Sequence, residues 1–439
     1  MSFSDLELHA GILKAIEGEG YTKPTPIQEK VIPKILRGFD LRASAPTGTG
    51  KTAAFILPCL DRLMKPSTLK GRGPRVLVLV PTRELAMQVA TQAKKYSKYL
   101  HKVKTVCVYG GAPYYVQNRE LAAKYEILVA TPGRLIDHLE RGKINFSKLE
   151  LLILDEADRM LDMGFIDPVE KITRATPSTR QTLMFSATLK GEVLKLSERL
   201  LNKPMEIQVS HNKEEYKNIK QHLYFVDNIN HKHQLLDHFL KDPDLSQVLV
   251  FTSTKRQADI LATKLKDDDH KAAALHGDMN QRQRERTLLR MRKNSIRILI
   301  ATDVAARGID VRTISHVINF DLPMTPEDYV HRIGRTARAG AKGTALSFAS
   351  PRDAKMVKLI EQFTGQKIDY KTIPGMEPKK NFSKPDFSKS KRRNARSRNF
   401  KSQNSKSKNA KSNFPSSRGT KGKFHYKSKR GFKKNQRES

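Results

Sequence analysis

Short apolar runs rich in Val, Ile and Leu alternate with segments of helical spacing through roughly the first 370 residues. A strand buried on both faces is a continuous apolar run, whereas an amphipathic helix places apolar residues three and four apart. In the first half of the chain the strand-like runs are "RVLVLVP" (75–81), "YEILVAT" (125–131), "LLILD" (151–155) and "TLMFSAT" (182–188), and the helical segments are "ELAMQVATQAKKY" (84–96) and "GEVLKLSERLL" (191–201). This alternation predicts βαβ units and therefore an α/β fold with a parallel sheet.

The pattern pauses once and then restarts. Residues 203–218, "KPMEIQVSHNKEEYKN", are polar and have the composition of a linker between two domains. The later strand-like runs are "QVLVFTS" (247–253), "KAAALHG" (271–277), "IRILIAT" (296–302), "HVINFD" (316–321) and "GTALSFAS" (343–350). We therefore predict two α/β domains in tandem, residues 1–208 and 219–375, joined by a linker at 209–218.

Residues 376–439 have a different character, with 22 Lys and Arg against 3 Asp and Glu and no apolar period. Such a segment cannot bury enough apolar surface to fold alone, so we predict a disordered tail. The tail also contains isolated aromatic residues: Phe382, Phe387, Phe400, Phe414, Phe424, Tyr426 and Phe432. Basic charge combined with base stacking suits single-stranded nucleic acid, which predicts an RNA-binding tail. A merely solubilising tail is the alternative.

The whole chain of 439 residues carries a net charge of +37, which favours a polyanionic partner, with nucleic acid ahead of an anionic membrane. Cys59 and Cys107 lie in apolar surroundings without metal or redox spacing, which predicts buried thiols in a reducing compartment. The acidic N-terminus "MSFSDLELHA" is unlike a signal peptide, and no apolar run approaches the roughly 20 residues of a membrane span. We expect a soluble, cytoplasmic protein.

The segment "ASAPTGTGKTAAFILP" (43–58) has the spacing of a phosphate-binding loop, although Ala45 stands where a first glycine is usual. Its glycines allow the backbone to turn N–H groups toward one point, and the helix that follows directs its positive end there. Lys51 is expected to reach the β- and γ-phosphates, and the Thr52 hydroxyl to bind Mg²⁺. The residues predicted to contact the nucleotide here are Ala45, Pro46, Thr47, Gly48, Thr49, Gly50, Lys51 and Thr52.

Three carboxylates, Asp155, Glu156 and Asp158, follow the buried strand at 151–154. Acids at the end of such a strand are costly unless a cation or a hydrogen-bond donor meets them. In phosphate-loop proteins an Asp in this place holds Mg²⁺, partly through water, beside the loop hydroxyl. We assign that role to Asp155, and we assign to Glu156 acceptance of a proton from the attacking water. Capping of the next helix is the alternative for such acids, and it fits Asp158.

Residues 155–158 spell DEAD, and the chain resembles the DEAD-box RNA helicases from residue 1 to about residue 370. The resemblance rests on many motifs in the family's order, so it is more specific than either phosphate motif alone. It implies two RecA-like domains, ATP and Mg²⁺ as cofactors, and ATP-dependent unwinding or remodelling of RNA.

The segment "GYTKPTPIQ" (20–28) is similar to the family's adenine-recognition element. The resemblance implies that Gln28 reads the adenine edge, that Tyr21 stacks on the ring and that Phe3 supports the segment. An amide offers a donor and an acceptor side by side, as the adenine edge does. The residues expected to couple hydrolysis to strand separation are Ser186 and Thr188 of "SAT" (186–188) and His331.

The backbone-binding motifs of the family are matched by "PTRELA" (81–86), the glycine pair at 110–111, "TPGR" (131–134) and, in the second domain, "TSTK" (252–255). The implied RNA-binding residues are Pro81, Thr82, Arg83, Gly110, Gly111, Thr131, Gly133, Arg134, Gln281, Arg284 and Thr302. These residues form no array aimed at base edges, so we expect recognition of sugar-phosphate shape with little dependence on sequence.

The second domain is expected to complete the ATP site. "ATDVAARGID" (301–310) places Gly308 and Asp310 where the family contacts the nucleotide, with Asp310 at the ribose. "YVHRIGRTARAG" (329–340) supplies Arg335 and Arg338 as arginine fingers that stabilise charge on the transferred phosphoryl group. By spacing alone this basic segment would be a solvated helix face. Ala337 departs from the usual glycine, and we expect activity to tolerate it.

Taken together, these motifs predict a cleft that ATP and RNA close jointly, bending the strand and prying off its complement. Two alternatives are a non-catalytic ATP-gated RNA clamp and a DNA helicase of the same superfamily. Within the family the chain most resembles bacterial helicases of large-ribosomal-subunit assembly, which implies ribosomal RNA, pre-ribosomal particles and ribosomal proteins as partners. A general helicase of RNA decay or cold adaptation is the alternative. We expect a monomer.

Overall fold

The apolar runs form two seven-stranded parallel sheets in the computed structural model, which describes residues 2–45, 48–101, 103–209, 218–306, 311, 313–337 and 342–379. The strands of the first sheet are β1 (Leu41–Ser44), β2 (Val76–Leu79), β3 (Thr105–Val108), β4 (Ile127–Ala130), β5 (Leu151–Leu154), β6 (Gln181–Ser186) and β7 (Met205–Gln208). Those of the second are β8 (Ile219–Phe225), β9 (Val248–Phe251), β10 (Ala272–Leu275), β11 (Ile298–Ala301), β12 (His316–Asn319), β13 (Gly343–Ala349) and β14 (Asp369–Lys371). We call the part built on each sheet lobe one and lobe two.

The two sheets have the same strand order. The first runs β3-β4-β2-β5-β6-β1-β7 and the second runs β10-β11-β9-β12-β13-β8-β14. Numbering each set from its first strand gives 3-4-2-5-6-1-7 in both lobes. The prediction of two tandem α/β domains with parallel sheets is therefore confirmed, and both lobes belong to one unit, Met1–Phe382.

Helices cover both faces of each sheet. Those of lobe one are α1 (Ala10–Gly18), α2 (Pro26–Leu36), α3 (Lys51–Met64), α4 (Arg83–Tyr96), α5 (Tyr114–Ala122), α6 (Pro132–Glu140), α7 (Ala157–Asp162), α8 (Ile166–Arg174) and α9 (Gly191–Leu200). Those of lobe two are α10 (Ile229–Leu240), α11 (Lys255–Asp267), α12 (Gln281–Arg292), α13 (Asp303–Ala306), α14 (Pro326–Ile333) and α15 (Ala354–Thr364). Short 3-10 turns lie at Ser4–Leu6 and Pro351–Asp353.

The central strands are apolar because both of their faces are buried. Along β5, Leu151 and Ile153 pack into the cluster under α2, α3 and α4, while Leu152 and Leu154 pack into the cluster on the opposite face. All four side chains are inaccessible to solvent. At about 25 cal/mol per Å² of apolar area, such burial is the main contribution to holding each sheet between its helix layers.

The strand-like runs named from the sequence all form strands, within one or two residues at their ends. Strand β7 lies in the polar stretch 203–218 and pairs with β1, so part of that stretch belongs to the first sheet. Residues 210–217 and the tail from residue 380 lie outside the described residues. In the described part of the chain, no helix combines the length and the apolar character needed to cross a lipid bilayer.

Candidate nucleotide and RNA site

The functional motifs of lobe one lie at the carboxyl ends of its strands and divide between two halves of the sheet. The phosphate loop, the DEAD acids and "SAT" follow β1, β5 and β6, which are neighbours in the sheet. The glycine pair, "TPGR" and "PTRELA" follow β3, β4 and β2, which form the other half. Ligands of open α/β sheets bind at the carboxyl ends of the strands. The strand order therefore brings the predicted ATP and RNA elements to adjacent parts of one edge.

The phosphate loop turns through two glycines in the left-handed region, Gly48 with φ +89° and Gly50 with φ +88°. Gly50 is the N-cap of α3, and a Cβ atom at this position would lie 2.5 Å from Nε2 of Gln28. A side chain is therefore excluded by both conformation and space. Lys51 is buried, and its Nζ donates to the carbonyl of Ala45 at 2.8 Å. Lysine and loop thus form a closed cradle at the positive end of a 14-residue helix.

Gln28 connects the predicted adenine element to the phosphate loop. Its Nε2 donates to the Gly50 carbonyl at 3.2 Å, and its Oε1 accepts from the Thr25 backbone N–H at 3.0 Å. A glutamine amide has two N–H groups and two lone pairs, so one donor and one acceptor remain for an adenine edge. Tyr21 keeps 41% of its surface exposed beside Tyr96, as a stacking ring requires. Phe3 is buried in the core with α2, which fits its predicted supporting role.

Asp155 is almost completely buried at the end of β5. Burial raises the pKa of its carboxyl group to about 7; the Lys51 charge opposes the shift and the neighbouring Glu156 charge adds to it. Its Oδ1 accepts from the Glu156 N–H at 3.0 Å. A buried carboxylate of raised pKa beside a phosphate cradle favours a cation as ligand, and its oxygen chemistry together with Thr52 suits Mg²⁺. No cluster of three or more metal-ligating side chains occurs among the described residues.

Glu156 takes an unusual backbone conformation. Its φ is +54°, in the left-handed region that costs a non-glycine residue about 1 kcal/mol, and it serves as N-cap of α7. Its Oε2 accepts from Nη1 of Arg159 at 3.1 Å, and both side chains are nearly buried. Strain of this kind persists where neighbouring structure enforces it, often at functional sites. The sequence predicted Glu156 but did not predict the arginine that holds it.

Asp158 connects the DEAD acids to "SAT". Its Oδ2 accepts from the Ala187 N–H at 3.0 Å, while its Oδ1 accepts from the Arg159 N–H. The Ala187 carbonyl accepts from the Ser44 hydroxyl at 2.9 Å. Ser186 is buried and its hydroxyl accepts from the Thr188 N–H. The predicted contact between DEAD and "SAT" is therefore present, and it passes through the backbone of Ala187.

Lobe two brings Arg335 to lobe one. Arg335 is buried, its Nε donates to the His331 carbonyl at 3.1 Å, and with His331 it lines a cavity of about 10 Å³ that Arg159 of lobe one also lines. This is about the space of one water molecule. Arg159 thus pairs with Glu156 and lines one cavity together with a predicted arginine finger.

Ala337 has a φ of +54°, which explains why glycine is usual there. The methyl group does not prevent the turn, but the left-handed conformation costs about 1 kcal/mol relative to glycine.

The predicted RNA elements of the two lobes meet each other directly. Nη1 of Arg83 donates to Oε1 of Gln281 at 3.4 Å, and the guanidinium packs against Gly110 and Gly111. Gly111 has a φ of +86°, and a Cβ atom there would collide with Arg83. The left-handed backbone at Gly111 therefore favours glycine, and the lack of side chains lets this arginine lie against both positions.

A buried ion pair joins the lobes at the same place. Nε of Arg284 donates to Oε1 of Glu84 at 2.8 Å, with the two side chains about one tenth exposed or less. The guanidinium of Arg284 also donates to the carbonyls of His276 and Ala305. The sequence assigned Arg284 to RNA, whereas the structure gives it a carboxylate partner that the sequence did not indicate.

The hydroxyl of Thr82 caps α4 by accepting from the Leu85 N–H, and Thr131 is the N-cap residue of α6. Arg134 is largely buried and stacks on the Tyr114 ring at 4.0 Å, while its Nη1 donates to the Ala112 carbonyl. It therefore fixes the turn after the glycine pair.

The remaining predicted residues are placed as follows: Pro81 is buried, Gly110 is partly exposed, Gly133 is exposed and Thr302 is partly exposed after β11. Five predicted residues lie outside the described residues: Pro46, Thr47, Gly308, Asp310 and Arg338.

The sequence reasoning missed Glu84, Arg159, Asp303 and Arg332. Arg332 is buried and lies in the sequence between His331, a predicted coupling residue, and Arg335, a predicted arginine finger. Its guanidinium donates to both carboxylate oxygens of Asp303, at 2.6 and 2.8 Å. The sequence signal for Arg332 is its place within "HRIGR", because its carboxylate partner lies elsewhere in the chain.

Comparison with known proteins places these observations in a family. Residues 25–196 match the DEAD/DEAH box helicase family and residues 231–340 match the helicase conserved C-terminal domain. The chain is 42% identical to the ATP-dependent RNA helicase SrmB of Haemophilus influenzae over 86% of both chains. It is 44% identical to the ATP-dependent RNA helicase DeaD of Mycobacterium tuberculosis over 86% of this chain and 66% of that protein. Among solved structures, S. cerevisiae Dbp5 bound to RNA and ADP BeF3 matches with a TM-score of 0.76 and 31% identity, over 85% of this chain and 95% of that one.

Proposed function

The chain belongs to the DEAD-box family of ATP-dependent RNA helicases, and we propose that it couples RNA-stimulated ATP hydrolysis to local unwinding of RNA by assembling one active site from both lobes. The observation that carries the proposal is the cavity lined jointly by Arg159, which holds Glu156 in lobe one, and Arg335 of lobe two. Hydrolysis then requires the lobes to meet.

In this proposal each nucleotide-binding residue has one task. Gln28 and Tyr21 bind adenine, the Gly48–Gly50 turn and Lys51 hold the phosphates, and Glu156 accepts the proton of the attacking water. Arg335 stabilises the charge that develops on the γ-phosphoryl group, and Arg338 is proposed as its companion. Asp310 and Gly308 are proposed to contact the nucleotide from the same lobe.

Mg²⁺ is proposed as the metal cofactor, held by Asp155, partly through water, and by Thr52. When bound, it neutralises charge on the β- and γ-phosphate oxygens. The support is the raised pKa of buried Asp155, whose charged form gains most from a nearby cation.

RNA is proposed to bind across the two lobes at the elements that follow β2, β3 and β4 in lobe one and β9, β10 and β11 in lobe two. Arg83, Gln281, Glu84 and Arg284 join the lobes at this place, so closing the cleft and ordering the RNA path are one event. The hydrogen bond that the Ala187 N–H of "SAT" donates to Asp158 is proposed to connect this movement with the state of the phosphates.

The direct test is phosphate release with and without single-stranded RNA, on wild type and on Glu156→Gln. We expect RNA to stimulate the wild-type rate. The variant should lose roughly 10²–10⁴-fold in turnover, the usual contribution of a general base, while binding ATP and RNA together. Equal wild-type rates with and without RNA would contradict the proposal, and a Glu156→Gln variant that binds both ligands without slowing would remove Glu156 as the base.

A non-catalytic ATP-gated RNA clamp would release no phosphate, whether or not RNA is present. Comparing ribose with deoxyribose strands of one sequence separates an RNA helicase from a DNA helicase, because only the former should lose stimulation with deoxyribose.

The basic tail, residues 376–439, is proposed to add RNA contacts through charge and aromatic stacking. Deleting it should flatten the dependence of RNA affinity on salt, since each phosphate contact adds about 0.7 to the slope for single strands. An unchanged slope would leave a solubilising role.

We further propose ribosomal RNA in large-subunit assembly as the substrate, in the cytoplasm, with the protein acting as a monomer. Support comes from the similarity to SrmB of Haemophilus influenzae and of Escherichia coli, at 42% and 41% identity over 86% of this chain. Crosslinking RNA to the protein in cells tests this. Fragments from messenger RNA instead of pre-ribosomal particles would favour the alternative role in RNA decay or cold adaptation.

A further inference from the structure

A second cleft lies in lobe two, and the residues that line it are not among those matched by the family's motifs. Its volume is about 590 Å³, within the range of ligand-binding pockets. Helices α11 and α12 form its walls, and the edge strand β10 forms its floor.

The walls of the cleft present three cations without a carboxylate partner. Lys266 lies on α11, and Arg286 and Arg290 lie on α12, all three exposed. Within the described ranges of the chain, no carboxylate lies within ion-pair distance of any of them. The cleft therefore offers positive charge that the fold itself does not neutralise.

The two acids of the cleft are already engaged. Oδ1 of Asp259 accepts from Nε2 of His276 at 2.8 Å, and Oδ2 of Asp278 pairs with Nζ of Lys255 at 2.6 Å. The Lys255 ammonium offsets the charge of Asp278, so three unpaired cations face one carboxylate, Asp259, without a cationic Lys or Arg partner in the cleft.

The position of the cleft connects it to the predicted RNA path. His276 and Asp278 lie in the turn between β10 and α12, and the helix begins at Gln281, which already contacts Arg83 across the lobes. Arg286 and Arg290 follow along the same helix, one turn apart, so their Cα atoms are separated by about 6 Å along the axis. This is of the order of the spacing between adjacent phosphates in an extended strand.

We propose that the cleft binds the phosphate backbone of single-stranded RNA that continues past Gln281, with Arg286 and Arg290 on successive phosphates and Lys266 on the opposite wall. The site extends the RNA path beyond the residues matched by the family's motifs, and the proposal rests on the RNA-dependent function proposed above. Gln283 and Thr287 line the cleft on the same helix, one before and one after Arg286, and supply polar groups to ribose and base. An acidic peptide that adds to the free edge of β10 would be a different occupant.

The test uses the full chain with Arg286→Ala/Arg290→Ala. The matched control is Arg292→Ala/Lys293→Ala, which removes the same charge from exposed positions at the end of α12 outside the cleft. Affinity for single-stranded RNA is measured over a series of lengths and salt concentrations, with melting temperature as the check on folding. For strands long enough to reach the cleft, losing two phosphate contacts should lower the salt slope by about 1.4, and the control should change it by much less.

A photoreactive base at successive positions of the longest strand gives an independent readout. We expect its crosslinks to reach the peptide that spans 279–290. Equal slopes for the cleft variant and the control, or crosslinks that stop at the motif residues, would overturn the proposal while leaving RNA-stimulated hydrolysis intact. A wild-type chain without RNA stimulation would instead refute the proposed function. If Arg286→Ala/Arg290→Ala abolished the binding of an acidic peptide and left RNA affinity unchanged, the cleft would belong to a protein partner.

Discussion

Lobe one and lobe two share one strand order but carry opposite chemistry at corresponding places. After β1 the chain forms the glycine loop that ends at Lys51, whereas after β8 it turns into α10 with Asn228 as the capping residue, which accepts from the His231 N–H at 3.0 Å. One loop exposes a phosphate cradle and the other simply begins a helix. The same fold thus carries a glycine loop with a buried lysine in one lobe and an ordinary helix cap at the corresponding place in the other, because the residues at the strand ends differ.

The acids after the corresponding strands β5 and β12 show the same contrast. Asp321 pairs with Lys232 at 2.7 Å and accepts from the Ser253 N–H at 2.9 Å. Asp155 has no such direct cation partner among the contacts described, and burial raises its pKa to about 7. The acid of lobe two is satisfied by its own lobe, whereas the acid of lobe one gains from an added cation.

The largest expected effect distinguishes the two strand ends directly. Lys51→Ala removes the proposed phosphate contact of lobe one and should reduce ATP hydrolysis by at least about 100-fold, because charge stabilisation of the phosphoryl group is lost. Lys232→Ala breaks the ion pair of lobe two and should act on stability, with a cost of about 1–3 kcal/mol for the carboxylate left behind. Phosphate release and thermal melting of both variants check this. Equal loss of activity in both would contradict the comparison.

A smaller effect is expected from Arg159, which we regard as a positioning residue for Glu156. Arg159→Ala should lower kcat by about 10-fold with little change in KM for ATP, since orientation of the base is lost while the cradle remains. Arg159→Lys should recover part of the rate.

The split between kcat and KM separates positioning from simple structural support. A loss confined to kcat, with an unchanged melting temperature, is expected of a residue that orients Glu156. A rate loss that follows the melting temperature, and that Arg159→Lys does not recover, would reduce Arg159 to a structural role.

The ion pair between the lobes allows a double-mutant cycle. Glu84→Ala and Arg284→Ala should each raise KM for RNA about 5-fold, because each leaves a buried charge unpaired when the lobes meet. In the double variant, KM for RNA should rise by less than the product of the two single increases, which corresponds to a coupling free energy of about 1 kcal/mol. Strict additivity would show that the pair does not act in cleft closure.

The smallest effect concerns the strained turn beside the finger segment. Ala337→Gly should relieve left-handed strain of about 1 kcal/mol, offset in part by the greater freedom of glycine in the unfolded chain. We expect a rise in melting temperature of a few degrees or less and an unchanged kcat. A clear loss of stability would mean that the methyl group makes contacts that outweigh the strain.

The sequence predicted the central strands well because burial on both faces leaves a continuous apolar run, as in β2, β5 and β9. It was less informative at β7 and β8, where polar residues alternate with apolar ones at the edge of the sheet and beside it. The phosphate loop and the DEAD acids could be found because their chemistry is local in sequence.

Contacts between distant residues could not be predicted in this way. Glu84 and Arg284 are separated by 200 positions, and nothing in either segment names the other as its partner. Arg159 is adjacent to the DEAD acids in sequence, but a basic residue there is equally consistent with an exposed helix face. The placement of the predicted ATP elements in one half of the first sheet and of the RNA elements in the other half likewise depends on strand order, which the hydrophobic periodicity of the sequence does not specify.

The central claim is that one active site is completed by an arginine from the other lobe. It is tested most directly by phosphate release at saturating ATP and RNA for Arg335→Ala, with Arg352→Ala as the matched loss of an exposed arginine from the same lobe. The account predicts a fall of about 10³-fold or more for Arg335→Ala with ATP affinity largely kept, and a wild-type rate for Arg352→Ala. A wild-type rate for Arg335→Ala would contradict it.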